Sequence, residues 1–241
     1  MKVAVVTGAS KGFGADICRA LIKEDYTPVV HYHTSKQEAE DLVEELKKDA
    51  PDSFAISADM VDEPAVFDMI KEVEQELGRI DLLVNNVGNF VFKPFAKTSN
   101  AEFRDMIESN LYATLYASRA VLPGMRRQKS GNIINLGAVG CERLIIRENS
   151  TPYYLGKTAV YTLTKVMAHE EAGAGVRINM VSPASMATDI FKPEDFPTGR
   201  PATHEDVIKA IKFLISPENS YINGANIEVA GGFVPGMAKE V

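Results

Sequence analysis

Tyr153 and Lys157 are the two residues in the chain best placed for proton chemistry. Positions i and i+4 share one face of a helix, so a phenol and an ammonium at this spacing point the same way. A free phenol has a pKa of about 10 and is a poor acid–base group at neutral pH. A nearby ammonium favours the phenolate and lowers that value, which fits the phenol to exchange a proton with a carbonyl or alcohol oxygen. Ordinary surface helices carry such pairs too, so the rest of the chain must supply the context. A second feature, Thr7-Gly8-Ala9-Ser10-Lys11-Gly12-Phe13-Gly14, directly follows a short apolar run. Its Gly-x-x-x-Gly-x-Gly spacing permits a tight turn and close backbone approach to a pyrophosphate, and it aims the following helix at the negative charge. Gly8, Ser10, Lys11, Gly12, Phe13 and Gly14 are therefore expected to bind a dinucleotide.

The elements that position these groups alternate. Strands are expected at Lys2–Val6, Thr27–Tyr32, Phe54–Ser57, Ile80–Val84, Asn132–Leu136, Val176–Val181 and Asn226–Val229. Helices are expected over 14–24, 35–49, 63–77, 100–128, 153–172 and 204–216. In 35–49 the stripe Ala39, Leu42, Val43 and Leu46 has helical period, and in 63–77 Pro64 sits in the first turn, where its missing N–H does no harm. Apolar strands alternating with amphipathic helices predict a parallel sheet covered on both faces. The fold class is thus α/β, a Rossmann-type doubly wound sheet forming a single domain over 1–241.

Composition narrows the function. The 241 residues are 45% hydrophobic, ordinary for a chain with a real core. A net charge of −7 argues against nucleic-acid partners, which need phosphate-neutralising Lys and Arg. Cys18 and Cys141 lie in no metal-ligand or CxxC spacing and read as free thiols. No apolar run approaches the ~20 residues of a membrane span. The stretch before Gly8 is too short for a signal peptide, so a cytoplasmic location is expected.

The motifs together resemble the short-chain dehydrogenase/reductase family across essentially the whole chain. The glycine loop matches its TGxxxGxG, Asn85-Asn86-Val87-Gly88 its NNAG with Val87 in place of Ala, and Tyr153-x-x-x-Lys157 its YxxxK. Val181-Ser182-Pro183-Ala184 resembles the segment that usually reads PG. Gly224-Ala225-Asn226 and Ala230-Gly231-Gly232 resemble the closing TG and DGG. The resemblance implies hydride transfer between nicotinamide and a carbonyl or alcohol. Tyr153 would exchange the proton, Lys157 would hold the ribose, and Asn110 would hold a water linking Lys157 to solvent. It further implies that Asp59 and Met60 contact adenine, that Asn86, Val87 and Gly88 contact the adenosine ribose side, and that Pro183, Ala184 and Thr188 complete the cofactor site.

The second strand points to the cofactor type. An NAD site places a carboxylate at its end to bond the ribose 2′-OH. Here the chain reads His33-Thr34-Ser35, with no carboxylate before Glu38. These residues and Lys11 suit a 2′-phosphate, so NADP(H) is the expected cofactor.

One departure stands out. The family usually has a Ser about a dozen residues before the Tyr to hydrogen-bond the substrate oxygen. Asn135 to Cys141 contains neither Ser nor Thr, and Ala138 or Gly137 occupies the place. Losing one such donor can cost about 10²–10³ in rate. The missing polarity is expected either from the substrate or from Cys141, Ser150, Thr151 or Ser185. The layout resembles 3-oxoacyl-thioester reductases. An alternative is a pteridine reductase, whose matching stretch resembles His31 to Ser35 and whose pocket needs an aromatic ring, here Phe90 or Phe92. A third reading is an NADP(H)-binding protein with little turnover. The turn-rich segment 184–203 is expected to form a substrate lid, and Arg143, Arg147 and Glu148 face either a charged substrate or solvent. The resemblance implies a homotetramer or homodimer pairing through the two long helices and the last strand, with the apolar tail from Phe233 to Met237 packed on a neighbour or frayed. Its partner is a small carbonyl substrate, with no nucleic acid and no membrane.

Overall fold

In the computed structural model, residues 1–143, 147–186 and 192–233 are described. The strands are β1 (Lys2–Val6), β2 (Tyr26–Tyr32), β3 (Phe54–Ser57), β4 (Leu82–Asn85), β5 (Gly131–Leu136), β6 (Val176–Pro183) and β7 (Asn226–Val229). They form one sheet in the order β3-β2-β1-β4-β5-β6-β7. Every pairing is parallel, with Ala4 opposite Leu82 in β1–β4 and Ile134 opposite Asn179 in β5–β6. The chain runs outward from β1 in one direction and then from β4 in the other. A crevice therefore opens beyond the carboxyl ends of β1 and β4, where ligands bind in such sheets.

The α-helices are α1 (Gly12–Ile22), α2 (Lys36–Leu46), α3 (Glu63–Leu77), α4 (Asn100–Ile107), α5 (Ala113–Gln128), α6 (Thr151–Glu171) and α7 (His204–Ile215). Two apolar layers cover the sheet. On one face Val66, Ile70 and Val73 of α3 and Ala117, Val121 and Met125 of α5 meet Val5, Leu83, Ile133 and Ile178. On the other, Ile17 and Leu21 of α1, Leu42 and Leu46 of α2, and Val207 and Ile211 of α7 meet Val6, Val30, Val84 and Ile134. The expected helical stripes are the residues buried here.

Local chemistry sets the ends. Asp62 caps α3 by accepting from the Ala65 N–H, Pro64 lies in its first turn, and Gly78 ends it at φ +76°. Reciprocal capping boxes start α4 (Ser99 with Glu102) and α7 (Thr203 with Asp206). The single helix expected over 100–128 is broken by a π turn at Glu108–Tyr112. Side chains satisfy the displaced carbonyls. Asn110 Nδ2 donates to Met106 O at 2.9 Å, and Thr114 Oγ1 donates to Asn110 O at 2.8 Å. A buried polar ladder ties α6 to the sheet. Asn85 Nδ2 donates to Asn135 Oδ1, Asn135 Nδ2 donates to Thr164 Oγ1, each at 2.8 Å, and Thr164 Oγ1 donates to Val160 O.

Candidate active site

The glycine loop lies at the carboxyl end of β1. Gly8 and Gly12 have φ of +62° and +58°, which L side chains rarely adopt. Gly14 is required for a different reason. A Cβ there would strike Gly8 O and come within 2.8 Å of Ala9 Cα and 2.9 Å of Asn86 Nδ2. Two brackets hold the loop. Asn86 Nδ2 donates to Thr7 O and Gly8 O at 3.0 and 3.1 Å, while Thr7 Oγ1 accepts from the Asn86 and Val87 N–H groups. From the other side, His31 Nδ1 accepts from the Gly8 N–H at 2.9 Å and Nε2 lies 3.0 Å from Ala58 O. These partners select the Nε2–H tautomer, and burial pulls the His31 pKa down from 6.5 to about 4.

This loop fits a dinucleotide. The N–H groups of Ser10, Lys11 and Gly12 meet no acceptor among the described residues. The first turn of α1 has neither a side-chain cap nor an acidic residue. Uncapped N–H groups and the positive helix end would favour a pyrophosphate. Phe13 lies beside them with its ring 5.1 Å from that of His204. Farther out, His33 and Thr34 are exposed and Ser35 half-exposed beyond β2. Lys11 Nζ sits 3.6 Å from Glu38 in the first turn of α2, so the first carboxylate after β2 does reach this end of the crevice. Asp59 Oδ1 accepts from the Val61 N–H at 3.1 Å. The Met60 side chain is packed in the core, which leaves only its main chain for an adenine.

At the opposite end Asn110, Gly88, Lys157 and Tyr153 converge. The π turn carries Asn110, whose Nδ2 also donates to Asn89 O at 3.0 Å. Its Oδ1 is buried without a partner and lies against Gly88, where any Cβ would also come within 3.4 Å of Lys157 Nζ. Lys157 is buried, donates to Leu136 O at 2.8 Å, and sits 5.7 Å from the centre of the Tyr153 ring. Burial pulls the Lys157 pKa from 10.5 to about 8. The expected lowering of Tyr153 is not met in this geometry. Burial dominates and pushes its phenol above the ordinary value of 10. Lys157 is committed to Leu136 O, and a protonated phenol is the form that can donate a proton.

The stretch without a Ser, Asn135 to Cys141, opens the connection from β5 to α6. Of the expected substitutes, Cys141 is buried with Sγ 3.7 Å from Ser182 Oγ. Ser150 is buried and donates to Glu148 O, Ser185 donates to Met186 O, and Thr151 is the first residue of α6. Tyr154 anchors this segment instead. Its hydroxyl donates to Val139 O at 3.1 Å and accepts from Arg147 Nη1 at 2.6 Å. Arg147 also lies over the rings of Tyr154 and Phe233. Arg143 pairs with Glu228, and Glu148 is exposed. Phe90 meets Tyr153 edge-on at 4.9 Å between centroids and stacks on Phe92, leaving both phenylalanines more than 40% exposed beside the phenol. Pro183 ends β6, Ala184 packs with Val139 and Phe196, and Thr188 lies outside the described residues. Within 184–203, Phe196 is only 3% exposed and fastens that part of the segment over Val139.

The sequence alone did not reveal the Thr7 and His31 brackets, the Tyr154 anchor or the π turn. A polar residue inside an otherwise apolar strand, as at His31, was the available signal for one of these brackets. Among the described residues no cluster of His, Cys, Asp and Glu could hold a metal ion, and no helix is long and apolar enough to cross a membrane.

Comparison with known proteins identifies the family. The short chain dehydrogenase family profile matches residues 2–196. The 3-oxoacyl-(acyl-carrier-protein) reductase FabG of Staphylococcus aureus strain Mu50 is 38% identical over 245 residues, covering 96% of this chain and 97% of its own. FabG of Vibrio harveyi is 33% identical over 241 residues, with 96% of each chain covered. A solved Bacillus thuringiensis protein, provisionally described as a 3-oxoacyl-reductase, superposes with a TM-score of 0.86 at 30% identity, covering 98% of this chain and 99% of its own. With the glycine loop, the Tyr–Lys pair and the sheet order all in place, the chain belongs to the short chain dehydrogenase family.

Proposed function

We propose that the protein is an NADP(H)-dependent carbonyl reductase acting on 3-oxoacyl thioesters, with Tyr153 as proton donor. The observation that carries this reading is the placement of Tyr153 and Lys157 side by side on α6, with Lys157 Nζ against the carboxyl end of β5. The relatives named above, which are similar over nearly the full length, support the substrate class. When bound, reduced nicotinamide supplies a hydride. The phenol of Tyr153 gives its proton to the carbonyl oxygen. Lys157 holds ribose hydroxyls, and Asn110 holds the water through which the proton is replaced. The glycine loop and α1 bind the pyrophosphate, and Asp59, the Met60 main chain and Asn86 to Gly88 border the adenosine. His33, Thr34, Ser35 and Lys11 border the 2′ position. The absence of a carboxylate at 33–35 supports NADP(H) over NAD(H). Pro183 and Ala184 border the nicotinamide side. The protein works in the cytoplasm as a homotetramer or homodimer. Leu155 and Val166 on α6, each about half exposed, support a partner surface there.

The exposed Phe90–Phe92 pair beside Tyr153 favours one second reading, reduction of a flat heterocycle such as a dihydropterin. The test is NADPH consumption with acetoacetyl thioesters and dihydropterins, with NADH as cofactor control and Tyr153→Phe as catalytic control. Thioester turnover with NADPH, lost at least 10²-fold in Tyr153→Phe, is expected. Turnover that survives the substitution would reject the proton-donor assignment. Binding of NADPH without turnover of any substrate would make the protein an NADP(H)-binding protein.

A further inference from the structure

The segment that lacks a Ser carries a different donor. Along β5 and its extension the N–H groups alternate between the two neighbouring strands. Gly137 N and Val139 N donate to Val181 O and Pro183 O on the β6 side, and Asn132 N donates to Asp81 O on the β4 side. Leu136 and Ala138 therefore turn their polar groups toward β4. That strand ends at Asn85, so nothing from the ladder meets Ala138. Leu136 O is taken by Lys157 Nζ at 2.8 Å. The next group on the same edge is the Ala138 N–H, and it meets no acceptor among the described residues. Ala138 is only 5% exposed. A buried main-chain N–H without a partner is rare in folded proteins and costs free energy comparable to a lost hydrogen bond. This one is also held still. Both flanking N–H groups are bonded to β6, Ala138 O accepts from Cys141 N at 3.0 Å, and Tyr154 pins Val139 O.

We infer that the main-chain N–H of Ala138 is the second hydrogen-bond donor to the substrate's carbonyl oxygen, performing from the backbone what a Ser hydroxyl would do from a side chain. This assignment rests on the reductase reading above. A fixed donor aimed at the oxygen where negative charge develops needs no reorganisation as the hydride arrives, and such a donor is typically worth 10²–10³ in rate. Tyr153 gives the proton and the Ala138 N–H steadies the oxygen before that proton arrives.

The test replaces one atom. Lactic acid incorporated at position 138 by nonsense suppression keeps the methyl and turns the N–H into an ester oxygen. With acetoacetyl-N-acetylcysteamine and NADPH, kcat should fall at least 30-fold while NADPH affinity stays within threefold. Ala138→Ser, which adds the hydroxyl but keeps the N–H, should raise kcat less than threefold. A binary NADP+ complex titrated with the same thioester should move the Ala138 amide proton downfield in 15N-resolved spectra, in wild type and in Tyr153→Phe alike. An ester variant with wild-type kcat, or an amide signal that does not move, overturns the assignment. A large gain in Ala138→Ser also overturns it, because the donor was then missing. Turnover that persists in Tyr153→Phe would instead count against the reductase reading, so the two failures are told apart.

Discussion

Acid should loosen this fold through His31. The imidazole lies beneath the glycine loop with both nitrogens engaged, Nδ1 accepting from Gly8 N–H and Nε2 facing Ala58 O. Protonation would place a second hydrogen on Nδ1 and turn an acceptor into a donor facing a donor. Burial lowers the pKa to about 4 from an ordinary 6.5, so the unfolded chain takes up its proton first as the pH falls. The stability that rests on neutral His31 is fully present above pH 6.5, drains away as the pH drops toward 4, and changes no further below that. A gap of about 2.5 pH units corresponds to about 3 kcal/mol, of which about 2 kcal/mol is lost by pH 5. Carboxylates titrate over part of the same range, so the comparison must be with a variant that differs at this group alone. In His31→Gln the amide can accept from Gly8 and donate to Ala58 but cannot titrate. Urea unfolding at pH 7, 6 and 5 should show the wild type losing about 2 kcal/mol more than His31→Gln over that interval. NADPH affinity should fall in parallel in the wild type only, since the same bond shapes the phosphate loop. Two stability profiles that run parallel within about 0.5 kcal/mol would refute the reasoning, because His31 would then carry no proton-linked stability.

Other residues give equally direct expectations. Gly14→Ala pushes a methyl against Gly8 O and Ala9 Cα, both main chain, so it should cost about 1–3 kcal/mol in urea unfolding and weaken NADPH binding at least tenfold by calorimetry. Near-wild-type values for both would show that the loop can move aside. Lys157 holds its charge only below about pH 8 in the free protein, so NADPH affinity should decline as the pH rises through that value. Lys157→Met should bind more weakly and show no such decline; a limb that survives in it must belong to another group.

The sheet, the helical stripes and the glycine loop were legible because each depends on side-chain period or on residue types with strong backbone preferences. Strand ends moved by one or two residues, as at β4, which starts at Leu82 rather than Ile80. The π turn at Glu108–Tyr112 was not legible, since an apolar stripe of helical period reads the same whether one turn closes i→i+4 or i→i+5. The spacing of Tyr153 and Lys157 gave their shared face but not the sense of the phenol's pKa. That depends on how far its surroundings desolvate the half-buried phenol and on Lys157 being drawn to Leu136 O. The missing Ser was plain at Ala138, whereas the unpaired N–H of the same residue was invisible, because every residue but proline has one and only strand termination decides whether it is met.

The ladder of Asn85, Asn135 and Thr164 has a consequence for how such a site can change. Its rungs run across β4 and β5 to α6, with Thr164 two helical turns beyond Lys157. A sliding or turning helix would break a bond in a dry interior, so the ladder works as an index mark that fixes α6 both along and around its axis. The alignment of Tyr153 and Lys157 with the end of β5 is thus stored below the crevice, away from anything a substrate touches. Residues at the crevice rim such as Phe90 and Phe92 take no part in this ladder, so they can be exchanged without disturbing it. Substrate range can drift from chain to chain while the reacting geometry stays in register.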